Sequence, residues 1–131
     1  MAFLMEFDAR NNVLRLTIDG RLTDAMMLEV LEASARYFSS HPPCRGIADV
    51  SKVTANEVSS GAIMQMAKIP AAGPELMRVV VAPKDHSYAI ARMFQIYSES
   101  TRPNFHVVHT MDEAYRLLEV ESPEFHPVAM E

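Results

Sequence analysis

The chain has 131 residues, 49% of them hydrophobic, and a formal net charge of −5 at pH 7. This length fits one domain with a single core, and the 12 scattered Lys and Arg residues form no basic stripe, which argues against nucleic-acid binding. A lone cysteine, no recognisable secretory leader and no apolar run near the roughly 20 residues of a membrane span predict a cytoplasmic protein without a membrane span.

The first elements in the chain are two strands and a helix. Residues 3–8 and 13–19 alternate apolar and polar side chains, which is the period of a strand with one wetter face. The turn residues Asn11-Asn12 lie between them and predict a β-hairpin. The following segment begins at Thr23 or Asp24, which serves as a cap, and its apolar residues have helical spacing. This spacing predicts an amphipathic helix, which ends at two consecutive prolines.

Strands and helices then alternate. The apolar pattern predicts strands at 46–50, 77–82 and 105–109, and helices at 59–68, 85–99 and 110–118. Asp85 is the predicted N-cap of the second of these helices, and Thr110 with Glu113 forms a capping box for the last one. A helix between two strands permits only a crossover, so these strands are expected to be parallel.

The predicted fold class is α/β, with a single-layer mixed, mostly parallel five-stranded sheet and crossover helices in the order β-β-α-β-α-β-α-β-α. Residues 1–119 are predicted to form the domain and 120–131 a loosely ordered tail. Alternation predicts that Arg15, Thr17 and Arg78 share a sheet face that helices cover only in part. Such a face, beside some of the 10 methionines, favours a weak homodimer.

Few residues in the sequence indicate chemistry. Asp49 and Ser51 leave the central strand at its carboxyl end, where open α/β sheets place binding residues; the alternative is that they satisfy backbone donors in a turn. Ser59 is either a binding residue or a helix cap. Cys44 is interpreted as a small buried hydrophobic residue. No histidine spacing indicates a metal site and no nucleophile motif is complete, so we expect no metal, no cofactor and no enzymatic activity.

The run Asp49-Val50-Ser51-Lys52-Val53, followed by Ser59-Ser60-Gly61, resembles the strand-loop-helix of the STAS domain, the SpoIIAA-like family of anti-sigma-factor antagonists. Segments 88–94 and 112–118 resemble, in the same order, those of STAS/SEC14-type relatives. In the family, an Asp-Ser-Ser-Gly quartet carries a serine that a partner kinase phosphorylates. Here Val58 stands in place of the Asp.

The resemblance implies a bacterial, non-enzymatic regulatory module. It would recognise a protein partner, a regulator or a kinase, and serine phosphorylation would control it. The site residues are expected to be Asp49, Ser51, Ser59, Ser60 and Gly61. The alternative is a carrier or sensor of a small apolar, lipid-like ligand, because SEC14-type relatives resemble lipid-cradling domains and Met-rich strands are able to line a hollow.

Overall fold

The computed structural model describes residues 3–128, which contain six strands and four helices. The strands are β1 (Phe3–Asp8), β2 (Val13–Leu22), β3 (Arg45–Asn56), β4 (Arg78–Val81), β5 (Phe105–Val108) and β6 (His126–Pro127). The helices are α1 (Asp24–Ser40), α2 (Ser60–Ala67), α3 (Asp85–Tyr97) and α4 (Met111–Leu118).

All strands belong to one sheet, in the order β5-β4-β3-β2-β1-β6. β2, β3, β4 and β5 pair in parallel, whereas β1 pairs antiparallel with both β2 and β6. The predicted class, a mixed and mostly parallel α/β sheet, is confirmed, but the predicted number of five strands is wrong. β6 is too short for an alternating pattern, and the amide of Val128 beside it donates to the carbonyl of Met5 at 3.0 Å. Residues 129–131 of the predicted tail lie outside the described residues.

Strand β3 is much longer than predicted, because it continues through residues 51–56, which the sequence suggested were a polar loop. The carboxyl-terminal half of β3 pairs with the end of β2 across two register shifts, at each of which β3 advances one residue more than β2. Gly20, at one of these shifts, has a φ of +85°, a conformation that glycine adopts without strain. Asp49 and Ser51 therefore lie inside a strand instead of a loop.

The two faces of the sheet carry different helices. α1, α2 and α3 lie on one face, called here the three-helix face, whose buried residues include Leu14, Leu16, Ile18 and Val50. α4 lies on the opposite face, called here the α4 face. The buried cluster on the α4 face consists of Val13, Ile47, Val79, Val81, Val108, Ala114 and Leu118.

The predicted polar face is wrong in one residue. Arg15 pairs with Ile47, which places Arg15 and Thr17 on the α4 face, whereas Arg78 pairs with Gly46 on the three-helix face. A register difference of one residue between strands moves a side chain to the other face, and the sequence gives no register across crossovers. A weak homodimer stays a prediction.

The helix starts follow local hydrogen-bonding rules. The hydroxyl of Thr23 accepts from the amide of Met26 at 3.2 Å, and the capping box of Thr110 and Glu113 is present, which confirms both predictions. The prediction for Asp85 is wrong, since Lys84 is the N-cap residue and makes no side-chain capping bond. Asp85 lies one position later, in the first turn, where a carboxylate is favoured by the helix dipole.

Candidate functional site

A cavity of about 540 Å³ separates the three-helix face from parts of its helices. Ala48 and Val80 lie on the two central strands and face this cavity, and for that reason they are only half-buried. Most of the side chains that line the cavity are apolar; among them are Leu14, Leu16, Leu31, Phe38, Val50, Ile63, Met66, Ile90 and Phe94.

Small residues on β3 contribute to the hollow. Gly46 and Ala48 face the helices, and a Cβ atom added to Gly46 would meet only the carbonyl oxygen of Leu14, at 3.6 Å. α1 packs through Val30, Ala33 and Tyr37 into the core that β1 and β2 build. α2 and α3 contribute the remaining walls, so that no long side chain fills the space above the middle of the sheet.

The cavity reaches the surface near the amino ends of β3, β4 and β5. Its exposed lining residues are Ala35 and Ser39 of α1 and Ile69 and Pro70 after α2, with Ile69 48% exposed. These four residues are called here the mouth. The sequence predicted binding residues at the carboxyl ends of the strands, which lie at the opposite end of the sheet.

The predicted site residues Asp49 and Ser51 lie apart from this cavity. Asp49 pairs with Thr17 and Val81, which places it on the α4 face. Its carboxylate accepts a hydrogen bond from the amide of Ser51 at 2.9 Å, which is the backbone-satisfying role of the alternative interpretation. The structure therefore does not bring Asp49 together with Ser59.

Ser59 is the N-cap residue of α2, as predicted, and its hydroxyl accepts from the amide of Ala62 at 3.1 Å. The same hydroxyl donates to Oδ2 of Asp24 at 2.7 Å, and the amide of Ser59 donates to Oδ1 of Asp24 at 2.7 Å. This pair is called here the Asp24–Ser59 clasp, and it ties the start of α1 to the start of α2. The hydrogen bond from the Ser59 amide, then that from its hydroxyl, lowers the pKa of Asp24.

Ser60 and Gly61 are exposed beside the clasp, and a Cβ atom on Gly61 would meet nothing within 4 Å. The sequence identified Asp24 only as a possible cap of its own helix. A partner 35 residues away in sequence gives no periodic signal, so the clasp could not be predicted.

Further polar contacts close the carboxyl end of the three-helix face. Arg21 donates to both carboxylate oxygens of Glu57 at 2.8 Å, and Nζ of Lys84 donates to the carbonyl of Val53 at 2.9 Å. The side-chain amide of Asn56 donates to the hydroxyl of Ser87 at 3.2 Å. Because Arg21 and Glu57 are largely exposed, solvent screens their ion pair, which is expected to add little to stability.

Two arginines line the cavity on the side of the mouth: Arg78, which the sequence predicted on a polar sheet face, and Arg102, to which the sequence assigned no role. Arg78, the first residue of β4, donates from Nη1 to the carbonyls of Gly73 at 2.9 Å and Leu76 at 3.0 Å, and from Nη2 to the carbonyl of Ala72. It therefore holds the segment that leads into its own strand. Burial lowers the pKa of Arg78, although it stays charged under all ordinary conditions.

Arg102 precedes β5 and is more deeply buried, with 7% of its surface exposed. It donates from Nη1 to the carbonyl of Ile69 at 2.9 Å and to the hydroxyl of Thr101 at 3.2 Å. Its guanidinium carbon lies 5.2 Å from the centre of the Phe94 ring. Burial, and after it the positive charge of Arg78, lowers the pKa of Arg102.

The remaining candidate residues within residues 3–128 form neither a reactive thiol site nor a metal-binding site. Cys44 is 4% exposed and burial raises the pKa of its thiol, which confirms its interpretation as a small buried residue. Within residues 3–128, no three or more His, Cys, Asp or Glu side chains are grouped so that they could hold a metal ion. Over the same residues, no helix has the length and apolar character needed to cross a bilayer.

No model of a known protein family matches the chain, and no curated protein matches it significantly.

Proposed function

We propose that the protein binds a small apolar ligand in the cavity on the three-helix face and acts as its carrier or sensor. The observation that carries this proposal is the volume of about 540 Å³ between the helices and the central strands, lined mainly by apolar side chains. Sites for small molecules typically measure about 300 to 1,000 Å³ and combine apolar walls with a few polar groups.

The lining of the cavity is in contact with water when no ligand is bound. The cavity is open at the mouth, so water enters it and hydrates walls that are mainly apolar. An apolar ligand removes that surface from water and so recovers free energy.

A fluorescence titration with Nile red, a neutral apolar dye, tests the proposal. Ala48→Leu places a larger side chain inside the cavity, whereas Ala89→Leu makes the same change at an exposed position of α3. We expect wild type and Ala89→Leu to bind the dye alike, and Ala48→Leu to bind it at least about tenfold more weakly. Absence of binding to wild type, or equal binding to all three proteins, would refute the proposal.

The ligand itself is to be sought in protein purified from cells. Native mass spectrometry of the wild type should show a copurified apolar molecule, and Ala48→Leu should carry less of it than Ala89→Leu. A mass equal to the bare chain under conditions that preserve a known lipid complex would contradict carriage in the cell.

The exposed group Ser59, Ser60 and Gly61 favours a second candidate, the STAS-like, non-enzymatic protein-interaction module. A protein partner, a regulator or a kinase, would contact the start of α2, and phosphorylation of Ser59 would control the contact. In support, a helix N-terminus favours added negative charge. A phosphate on Ser59 would also face the carboxylate of Asp24 and break the clasp, which gives the modification a structural effect.

Phosphorylation is tested by mass spectrometry of the protein from its native cells, and its effect by comparing partner binding of Ser59→Ala and Ser59→Glu. The two variants should be matched for folded fraction. Equal binding by both variants and wild type would eliminate the switch and leave Ser59 as a cap. The absence of enzymatic activity stays a prediction.

A further inference from the structure

Two positive charges lie beside the mouth of the cavity. Within residues 3–128, neither Arg78 nor Arg102 forms an ion pair with a carboxylate. A buried charge without an opposite charge is costly unless hydrogen bonds replace its hydration. Both arginines line the cavity, whose other walls are mainly apolar.

Hydrogen bonds account for both terminal nitrogens of Arg78 but for only one terminal nitrogen of Arg102. Arg78 uses both terminal nitrogens on three carbonyl oxygens, so it is accounted for as a support of the segment before β4. Arg102 uses only Nη1. Within residues 3–128, Nε and Nη2 of Arg102 have no hydrogen-bond acceptor, and they are not among the fully buried unpaired atoms, so these two nitrogens keep contact with solvent although the residue as a whole is more than nine-tenths buried.

The free donors of Arg102 define the polar group that fits them. Nε and Nη2 form one edge of the planar guanidinium fork, which matches the two oxygens of a carboxylate in a bidentate pair. Arg78 adds a second positive charge close enough to affect the pKa of Arg102, and a carboxylate between the strand ends and the mouth would offset both. The remaining cavity wall offers contacts for an apolar chain.

The volume is large enough for a long chain. A cavity of about 540 Å³ lies within the range of about 300 to 1,000 Å³ that is typical of sites for small molecules. A chain longer than the cavity would extend through the mouth, past the exposed side chain of Ile69.

We propose that the ligand of the cavity is a long-chain fatty acid, whose carboxylate binds the free edge of Arg102 and whose chain lies along the apolar walls. This inference rests on the proposed function of the cavity. Arg102 is the residue that determines specificity, and it selects an anionic head group over a neutral one of the same chain length.

The test compares palmitic acid with its methyl ester as competitors of Nile red, both below the concentration at which they aggregate. The ester keeps the chain and removes the negative charge. We expect the wild type to bind the acid at least about tenfold more tightly than the ester, because a charge-assisted bidentate pair is lost. This comparison needs no variant, so it holds even if Arg102 proves necessary for folding.

Arg102→Gln should abolish this preference and leave ester binding within about twofold of wild type. The control is Arg116→Gln, an exposed change on α4 at the opposite face, which should retain the preference. Equal affinity of the wild type for acid and ester, or a preference that persists in Arg102→Gln, overturns the assignment of the head group while the cavity remains a binding site. Failure of Nile red itself to bind overturns the proposed function.

Discussion

The two faces of the sheet are built from the same strands, yet one is solid and the other hollow. On the α4 face, Val79 and Val81 are 1% and 2% exposed beneath Leu118 and Ala114, which are themselves fully buried. On the three-helix face, their neighbour Val80 is only half-buried. Over β4, one short helix thus covers the sheet more completely than three helices do, although Leu4 on β1, at the far side of the α4 face, is 42% exposed.

The difference teaches that the number of covering elements does not determine the packing of a face. α4 brings small and branched side chains directly onto β3, β4 and β5. The helices on the other face are tied to each other and to strand ends by polar contacts such as the Asp24–Ser59 clasp. Helices held at their ends can enclose a volume that their side chains do not fill.

The largest effect is expected from removing side-chain volume on the solid face. Leu118→Ala should lower the free energy of unfolding by about 3 kcal/mol, because it leaves a cavity in a closely packed cluster. Leu31→Ala, the same change beside the existing hollow, should cost less than about 1.5 kcal/mol. Urea unfolding of both variants measures the difference. Equal losses would mean that the two faces are packed alike.

Adding side-chain volume should destabilise the α4 face and should not destabilise the three-helix face. Ala114→Leu forces a larger side chain into a position with 0% exposure and should cost about 1 to 3 kcal/mol. Ala48→Leu extends into the cavity and should leave thermal stability unchanged or higher. Calorimetry of the two proteins without added ligand measures both changes in stability. A destabilised Ala48→Leu would indicate that the hollow is smaller than its 540 Å³.

The pH dependence of stability should reveal a polar support of the α4 face. Asp8 has 0% of its surface exposed; burial would raise the pKa of its carboxyl group, but hydrogen bonds from Asn11, Glu124 and Arg10 outweigh burial and lower it. A lowered folded pKa gives stability that is complete above the ordinary value of about 3.9 and is lost as pH falls through the folded pKa.

The carboxylate of Asp8 accepts from the amide of Glu124 at 3.1 Å, so its protonation should loosen the segment that leads to β6. We expect a smaller acid-induced fall in Tm for Asp8→Asn than for wild type, and a lower Tm for this variant at neutral pH. The protection of the Val128 amide, which bonds to Met5, should fall in acid when its hydrogen-exchange rate is compared with the intrinsic rate at the same pH. An identical fall in Tm for both proteins would remove Asp8 from this role.

Most of the fold could be predicted from local pattern. The parallel order of β2 to β5 follows from helical crossovers, and Thr23, Ser59 and Thr110 cap helices as their sequence context indicates. The incorrect predictions concern features that depend on the pairing of strands distant in sequence. The extension of β3 depends on the length of β2, and the face of Arg78 depends on a register that only the folded sheet sets.

The candidate site was harder to predict, because a cavity is a property of spacing between elements. Nothing in the apolar pattern of α1 distinguishes Val30, which is buried in the core, from Leu31, which borders the hollow. Arg102 could have been noticed only as an isolated charge just before a buried strand. The alternative of an apolar ligand rested on composition and resemblance, and neither indicated which end of the sheet would open.

The smallest effect is expected from two matched helix caps. Ser59→Ala on the three-helix face and Thr110→Ala on α4 each remove a side-chain acceptor at an N-cap, and each should cost about 1 kcal/mol. They differ in one respect, since the Ser59 hydroxyl also donates to Asp24 at 2.7 Å and thereby holds α1 against α2. Loss of that bond should let the hollow face open more often.

Stopped-flow mixing with Nile red measures this opening. We expect Ser59→Ala to release and take up the dye faster than wild type, with nearly unchanged affinity, because the clasp lies away from the cavity floor. Thr110→Ala serves as the control, since it weakens the protein to a similar extent on the solid face and should exchange dye at the rate of wild type. Equal acceleration by both variants would attribute the change to general destabilisation, and the clasp would then have no part in access to the cavity.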